Sequence, residues 1–286
     1  PMEHEITENP LRGVEAKVGS GHYGVFDHGA HVWSWQPDGA APVIWMSAKS
    51  WFSDGQPIRG GVPICFPWFG PGRAGDQLPI HGFARLHTWH LADLKDTLDR
   101  DGRLIAVYTL DNAMTGEQPD WPHRYEARYV VKFTPEYLGL TLEVTNTGQH
   151  HVPLDGALHT YLAVGDVRQV KVTGLDGAEY YDKVTGQTET QSGDVTIEGQ
   201  TDRVYRSTGE VVLEDPVLGR KLVIAKSGSA NTVIWNPGVD KAAEMQDFGD
   251  DEWQGMICIE AANALGDQLT LRPGETHTLK QRITLA

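Results

Sequence analysis

The sequence predicts an all-β protein, built as one large antiparallel β-sandwich. Short runs rich in β-branched and aromatic residues follow one another along the whole chain. The 32 glycines and 16 prolines are spread between these runs, as many tight turns require. Helical periodicity is scarce, and neither a repeat of fixed period nor a linker interrupts the pattern. We therefore expect a single domain over residues 1–286.

The individual strands are identified by alternation and by their boundaries. Residues 125–131 alternate between two faces, which is typical of a half-buried strand. Gly, Pro, Asn or Asp bounds most of the other runs. The predicted strands are 31–35, 43–47, 104–110, 124–133, 138–145, 211–213, 221–225, 255–261 and 277–285.

Turns and helices complete the prediction. Residues 133–137 and 214–220 are expected to form hairpin turns, since each places Pro and polar residues between two strands. Residues 239–248 predict about two turns of helix, with Asp240 as the N-cap.

Composition excludes several classes of function. The net charge of −15 argues against nucleic-acid binding, which needs a basic surface. No apolar run reaches the ~18 residues of a membrane helix, and residues 1–10 lack the features of a signal peptide. Two widely spaced cysteines do not form a disulfide framework. We expect a cytoplasmic monomer without nucleic-acid or membrane partners, in which an anionic ligand would require a local arginine cluster.

An irregular apolar segment, 58–70, is the first place where chemistry is expected. Its glycines and prolines exclude a regular strand, yet it is too apolar for a solvated loop. Such segments often line pockets, and Arg59 is its only charge. Arg59 either faces a ligand or bonds loop carbonyls.

Residues 78–85 add His81 and Arg85. If this stretch is extended, His81, Phe83 and Arg85 share one face. An imidazole, a ring and a guanidinium suit a sugar, and Arg59 with Arg85 could clamp a phosphate because guanidinium forks match its oxygens. A structural role for either residue stays open.

Three further residues are candidates for acid–base chemistry or binding. His159 shares a strand face with Ala157 and Tyr161, and histidine exchanges protons near neutral pH. Glu260 ends an apolar run, where burial should raise its pKa toward that of a general base. Asp202 provides another carboxylate. Each of the three could instead be a satisfied structural residue.

Several other chemistries lack support in the sequence. No residue set has metal-ligand spacing, so we expect neither metal nor cofactor. Two Gly-x-Gly-x-x-Gly stretches, 19–24 and 70–75, do not open helices and are interpreted as turns. No Gly-x-Ser-x-Gly elbow occurs. A retaining glycosidase using Asp202 and Glu260 is a minor alternative.

Taken together, the chain resembles the aldose 1-epimerase superfamily, and within it the hexose-6-phosphate mutarotase branch. Six segments carry the resemblance, in the family's order: 58–63 with 66–70, 81–85, 157–161, 202–205, 233–237 and 258–260. It implies a galactose-mutarotase-like β-supersandwich and the interconversion of anomers of a sugar phosphate such as glucose 6-phosphate.

The resemblance also implies residue roles. His159 would be the general acid at the ring oxygen and Glu260 the general base at the anomeric hydroxyl. His81 and Asp202 would hold sugar hydroxyls, and Arg59 and Arg85 would hold the phosphate. The branch often has a polar residue where Ile80 stands, which leaves the sugar open. A non-catalytic sugar-binding protein and an epimerase of free sugars remain alternatives.

Overall fold

A computed structural model describes residues 4–7, 11–53 and 55–286. Two eight-stranded sheets dominate it, and all named strand pairs in these ranges are antiparallel. This confirms the predicted all-β class. In this part of the chain, no helix is both long and apolar enough to cross a bilayer.

The first large sheet, called here the front sheet, carries the motif segments. Its strand β20 lies near the centre and pairs with β19, β11 and β12. In spatial order the sheet contains β15 (Gln187–Thr190), β14 (Glu179–Asp182), β16 (Thr201–Arg206), β19 (Asn231–Asn236), β20 (Met256–Asn263), β11 (Gly156–Leu158) and β5 (Ile64–Cys65), with β12 (Tyr161–Ala163) also paired to β20.

The second large sheet, called here the back sheet, has the alternating pattern that the sequence predicts. In β8 every second residue is buried, from Tyr125 to Phe133. Its spatial order is β13 (Lys171–Thr173), β17 (Val211–Asp215), β18 (Arg220–Ser227), β22 (Thr276–Leu285), β9 (Tyr137–Asn146), β8 (Tyr125–Phe133), β7 (Arg103–Asp111) and β6 (His90–Thr97).

Two smaller sheets and three short helices complete the described fold. A four-stranded sheet extends the core, where Tyr23 stacks on Phe133 at 5.1 Å. Its strands are β1 (His4–Thr7), β2 (Gly13–Val18), β3 (Gly21–Phe26) and β4 (His31–Gln36), and the remaining pair is β10 (Val152–Leu154) with β21 (Leu269–Leu271). The helices are α1 (Leu98–Asp101), α2 (Asn112–Thr115) and α3 (Gly238–Glu244).

The main core lies between the two large sheets. Ile257, Ile259 and Ala261 of β20 point into it, together with Leu140 and Ile283 of the back sheet. Because side chains alternate along a strand, Cys258 and Glu260 point to the opposite side. This opposite side of the front sheet is the one that carries the candidate site.

Two local predictions are wrong, whereas both hairpin turns are confirmed. Residues 43–47 make only isolated bridges, from Ile44 to Leu162 and from Met46 to Gly60, because neighbouring loops supply the partners instead of a strand. Helix α3 has the predicted length of about two turns, but its N-cap is Pro237 and Asp240 lies within its first turn.

Candidate active site

The site begins with an imidazole and a carboxylate on adjacent segments of the front sheet. His159 lies between β11 and β12, and Glu260 lies in β20, which pairs with both. His159 Nε2 is 3.6 Å from Glu260 Oε2, and the side chains are 11% and 2% exposed. His159 Nδ1 and Glu260 Oε1 are buried without a hydrogen-bond partner in the described residues. The sequence-predicted acid and base are therefore neighbours, with unused polar atoms.

Burial moves the two pKa values in opposite directions. Desolvation raises the pKa of Glu260 well above its usual value, and the charge of Asp202 raises it further. Desolvation also lowers the pKa of His159, with the positive charges of Arg85 and Arg59 acting in the same direction. These shifts favour the neutral form of both side chains, with the titrating proton of the pair on Glu260.

Aromatic rings fix the plane of His159. Its imidazole stacks on Tyr161 with ring centroids 4.9 Å apart. Trp235 of β19 meets it edge-on at 6.0 Å, and His81 does so at 5.7 Å. The shared face of His159 and Tyr161 that the sequence predicts is confirmed, although the strand is interrupted between them.

A side chain of the back sheet connects the segments that carry His159 and Glu260. Thr160 Oγ1, next to His159, donates to Gln281 Oε1 at 2.5 Å. Gln281 Nε2 donates to the carbonyl of Ile259, next to Glu260, at 3.0 Å. Gln281 is buried in β22. One side chain thereby ties the His159 segment to the Glu260 strand across the core.

His81 enters the site from a constrained loop. Its φ of 67° lies in the left-handed region, which costs a β-carbon-bearing residue about 1–3 kcal/mol. The Gly70 amide donates to His81 Nδ1 at 2.9 Å, so the neutral ring carries its proton on Nε2. At the next residue, Gly82, a β-carbon would meet the Phe66 carbonyl oxygen at 2.0 Å. The loop therefore requires glycine beside the histidine.

Residues 81–85 do not meet the condition under which His81, Phe83 and Arg85 would share one face, because the segment is not extended. Ala84–Leu86 forms a 3-10 turn, and Phe83 packs in the main core. Phe83 therefore does not share a ligand-facing surface with His81. Arg85 Nη2 donates to the Ile80 carbonyl at 3.1 Å, while its Nε is buried without a partner in the described residues.

Arg59 is anchored rather than bonded to loop carbonyls. Its Nε donates to Asp247 Oδ2 at 3.2 Å, and its Nη1 donates to the Tyr161 hydroxyl at 3.1 Å. Burial disfavours its charge, but Tyr161 and Asp247 outweigh burial and raise its pKa. Two residues on, a β-carbon at Gly61 would lie 2.2 Å from the Val32 carbonyl oxygen. This close approach holds the segment against β4.

Asp202 belongs to a charge pair whose other member, Lys183, the sequence did not single out. Lys183 Nζ lies 3.8 Å from Asp202 Oδ2 and 5.4 Å from the centroid of the Phe69 ring. Burial raises the pKa of Asp202, and Lys183 opposes the shift. Lys183 follows β14 in a surface hairpin, where a lone lysine has no distinguishing local pattern. Asp247, the partner of Arg59, was missed for the same reason.

Comparisons with known proteins identify the family of the chain. Residues 17–284 match the family model described as Aldose 1-epimerase. The chain is 36% identical over 261 residues to a candidate glucose-6-phosphate 1-epimerase of Escherichia coli K12, covering 90% of this chain and 85% of that protein. It is 34% identical over 260 residues to a similarly named protein of Cenchrus ciliaris, covering 88% of this chain and 77% of that protein.

Solved structures give the same result. A candidate mutarotase of Salmonella typhimurium superposes with a TM-score of 0.87 at 30% identity, covering 100% of this chain and 93% of the other. A galactose mutarotase-like protein of Lactobacillus casei superposes with a TM-score of 0.70 at 16% identity, with both chains fully covered. The second similarity concerns the fold alone.

Proposed function

The chain belongs to the aldose 1-epimerase family, and from this premise we propose that it interconverts the α and β anomers of a hexose 6-phosphate. Membership makes the chain an isomerase that acts on a sugar. The observation that carries the proposal is the buried His159–Glu260 pair within the field of two arginines, Arg59 and Arg85. The names of the relatives from two organisms support the choice of a phosphorylated substrate.

The pair provides an acid and a base for ring opening. Glu260 takes the proton of the anomeric hydroxyl while His159 gives a proton to the ring oxygen, and the bond between that oxygen and the anomeric carbon breaks. The open aldehyde rotates about its bond to the next carbon, and the ring closes on the other face with the proton transfers reversed. Each positioned acid or base contributes typically ~10²–10⁴-fold.

The substrate itself favours the working protonation state. The environment of the pair favours its proton on Glu260, whereas the proposed reaction requires it on His159. The positive charges of Arg59 and Arg85 lower the pKa of His159. A phosphate dianion between these arginines offsets their field, so His159 gains proton affinity when the substrate binds. The pair then reaches its working state by redistributing one proton, without taking up another.

We assign the contacts with sugar hydroxyls to two residues. His81, as the Nε2–H tautomer, offers a donor next to His159. Asp202 offers carboxylate oxygens beside Lys183. Such a donor and acceptor orient the sugar by hydrogen bonds that an incorrect hydroxyl pattern leaves unmade.

Arg59 and Arg85 provide the local positive charge that an anionic substrate needs in a chain of negative net charge. At −15, the chain as a whole repels a phosphate. Arg59 is held in place by Asp247 and Tyr161, and Arg85 has a buried Nε without a partner in the described residues. Fixed guanidinium groups bind phosphate oxygens through short, charge-assisted bonds.

We propose that residues 1–286 form a single domain with one active site. The main core contains residues from Val14 to Ile283 and includes strands of the four-stranded sheet and of both large sheets. We propose that the site depends on all of them, as the Gln281 bridge illustrates.

Anomeric exchange tests the proposal directly. Magnetisation transfer by NMR is measured on glucose 6-phosphate and on glucose, with and without protein. We expect acceleration of exchange for the phosphate ester well above that for the free sugar. Acceleration of neither, with glucose 6-phosphate still bound, would identify a sugar-phosphate-binding protein instead.

Arginine variants test the phosphate contact. Arg85→Ala and Arg59→Ala should reduce exchange of glucose 6-phosphate far more than exchange of glucose. Arg168→Ala is the control, because Arg168 is half exposed and pairs with Asp166 at 2.9 Å outside the cleft. Equal losses on both sugars would contradict the phosphate role and favour an epimerase of free sugars.

A further inference from the structure

A buried thiol stands beside the acid–base pair and has no part in the proposed reaction. Cys258 lies two residues before Glu260 in β20, on the same face. One imidazole nitrogen of His159, the Cys258 Sγ and one carboxylate oxygen of Glu260 all lie within 4.8 Å of one another. An imidazole, a thiol and a carboxylate are therefore close enough to bind one metal ion together.

The distances are close to those of a tetrahedral zinc site. Zinc bonds of about 2.0–2.3 Å place neighbouring ligand atoms about 3.4–3.6 Å apart. The three ligand atoms lie within 4.8 Å of one another, so each pair needs to close by at most about 1.4 Å, within the reach of side-chain rotations.

Unused ligand capacity is a second, independent observation. Glu260 Oε1 and His159 Nδ1 are both buried without a hydrogen-bond partner in the described residues. Buried polar atoms are nearly always satisfied, so a site that leaves two of them open is built to receive a ligand. A sugar is one such ligand, and a cation held by the same side chains is another.

We propose that His159, Cys258 and Glu260 form an inhibitory zinc site, with the fourth coordination position open to the cleft. Binding of the ion displaces the protons of the Cys258 thiol and of the Glu260 carboxyl group to solvent. The resulting thiolate and carboxylate balance the two charges of the ion, and Asp202 adds a third negative charge nearby. Arg59, Arg85 and Lys183 oppose the ion, which makes binding sensitive to occupancy of the cleft by an anion. The metal occupies the lone pair of His159 and the carboxylate of Glu260, so neither transfers a proton. The inhibition rests on the proposed function, whereas binding of the metal does not.

The binding test uses the two cysteines of the chain. Cys65 is also fully buried in the front sheet, which makes Cys65→Ala the matched control for Cys258→Ala. Each variant is titrated with Cd²⁺, and the ultraviolet charge-transfer band of the thiolate–metal bond is recorded. We expect the band in the wild type and in Cys65→Ala, and no band in Cys258→Ala. Its absence from Cys65→Ala would overturn the proposal.

Competition and inhibition complete the test. Glucose 6-phosphate should weaken Cd²⁺ binding to Cys65→Ala, and this result decides the matter even if Cys258→Ala fails to fold. In the exchange assay, half-inhibition of Cys258→Ala should require at least about 10–100-fold more Zn²⁺ than that of Cys65→Ala, the loss seen when even an outer-shell partner is removed. Equal half-inhibition of the two variants would refute the site. An inactive protein that still gives the Cd²⁺ band would contradict the proposed function alone.

Discussion

The two large sheets differ in how their outer faces are used. In the back sheet, β9 alternates strictly between buried and half-buried residues, as expected for an antiparallel sheet with one face toward water. In the front sheet, β19 and β20 are buried at every position. Loops cover the outer face of the front sheet, where Tyr161, Trp235 and Phe248 form a second apolar cluster.

The covered outer face of the front sheet changes the properties of the charged residues that it carries. Glu260 and Glu143 are both strand glutamates, but Glu143 is solvated and lies 3.7 Å from Arg128. Glu260 is 2% exposed, and its pKa is strongly raised. The base strength of Glu260 therefore comes from the loops that exclude water from this face, and not from its position in a strand.

Exchanging these glutamates for glutamine gives the largest expected difference. Glu260→Gln should reduce anomeric exchange by about 10²–10⁴-fold, because the base is lost, while binding of glucose 6-phosphate persists. Glu143→Gln should leave exchange unchanged. NMR exchange and calorimetric binding measure the two effects. A Glu260→Gln variant with near wild-type exchange would exclude Glu260 as the base.

The raised pKa of Glu260 also predicts how the stability of Glu260→Gln, relative to the wild type, depends on pH. A raised pKa in the folded state means that Glu260 contributes stability below the unfolded value of 4.5, and that this contribution is lost as pH rises through the folded pKa. Glutamine does not titrate. The stability of Glu260→Gln relative to the wild type should therefore increase between pH 5 and 8, as measured by urea unfolding. A constant difference would mean that Glu260 is not perturbed by burial.

Replacing Gln281, which connects the two large sheets, should give the next largest loss of activity. Gln281→Leu leaves Thr160 and the Ile259 carbonyl without their partner, at about 1–3 kcal/mol for each unsatisfied group. Small displacements of catalytic groups can cost about 10²-fold in rate. We expect kcat to fall while KM changes little.

A neighbouring core substitution separates positioning from simple destabilisation. Leu279→Ala removes a buried apolar side chain from the same strand, which cannot hydrogen-bond to the His159 segment, and should cost about 2–5 kcal/mol. Below its melting temperature this variant should retain kcat. If both variants lose kcat in proportion to stability, Gln281 has no specific positioning role.

The sequence predicted the back sheet well because its physical signal is local. Alternation along 124–133 and the Pro-containing turn at 133–137 are determined by neighbours in sequence, and both are confirmed. The apolar run of β20 was recognised for the same reason, although Glu260 proved to lie inside the strand and not at its end. The six ordered motifs pointed to His159 and Glu260, and these two side chains are neighbours in the fold.

The rest of the site depends on contacts that are distant in sequence. Arg59 is fixed by Asp247, 188 positions away, and Thr160 by Gln281, 121 positions away. Nothing local distinguishes Asp247, Gln281 or Lys183 from surface residues. The 43–47 segment was predicted as a strand because its β-branched residues suit one, yet its partners are loop residues.

The two charged residues near Glu260, Asp202 and Lys183, should shift the pH profile of kcat in opposite directions when they are replaced. Asp202 raises the pKa of Glu260, whereas Lys183 lowers it. Asp202→Asn should therefore move both limbs of the bell-shaped pH profile of kcat to lower pH, because protons are held less tightly by the pair. Lys183→Met should move both limbs to higher pH. Profiles recorded on glucose 6-phosphate test the pair, and shifts in the same direction would contradict this electrostatic account.

The smallest effect is expected on the solvated face of the back sheet. Lys280 is exposed on β22, between the buried Leu279 and Gln281. Lys280→Ala should change the free energy of unfolding by no more than about 0.5 kcal/mol and leave exchange unaltered. Its neighbour in sequence, Gln281, reaches the catalytic strands only because side chains alternate across the pleat. A large effect at Lys280 would therefore mean that the outer face of the back sheet also contributes to the site, and the contrast between the two sheets would fail.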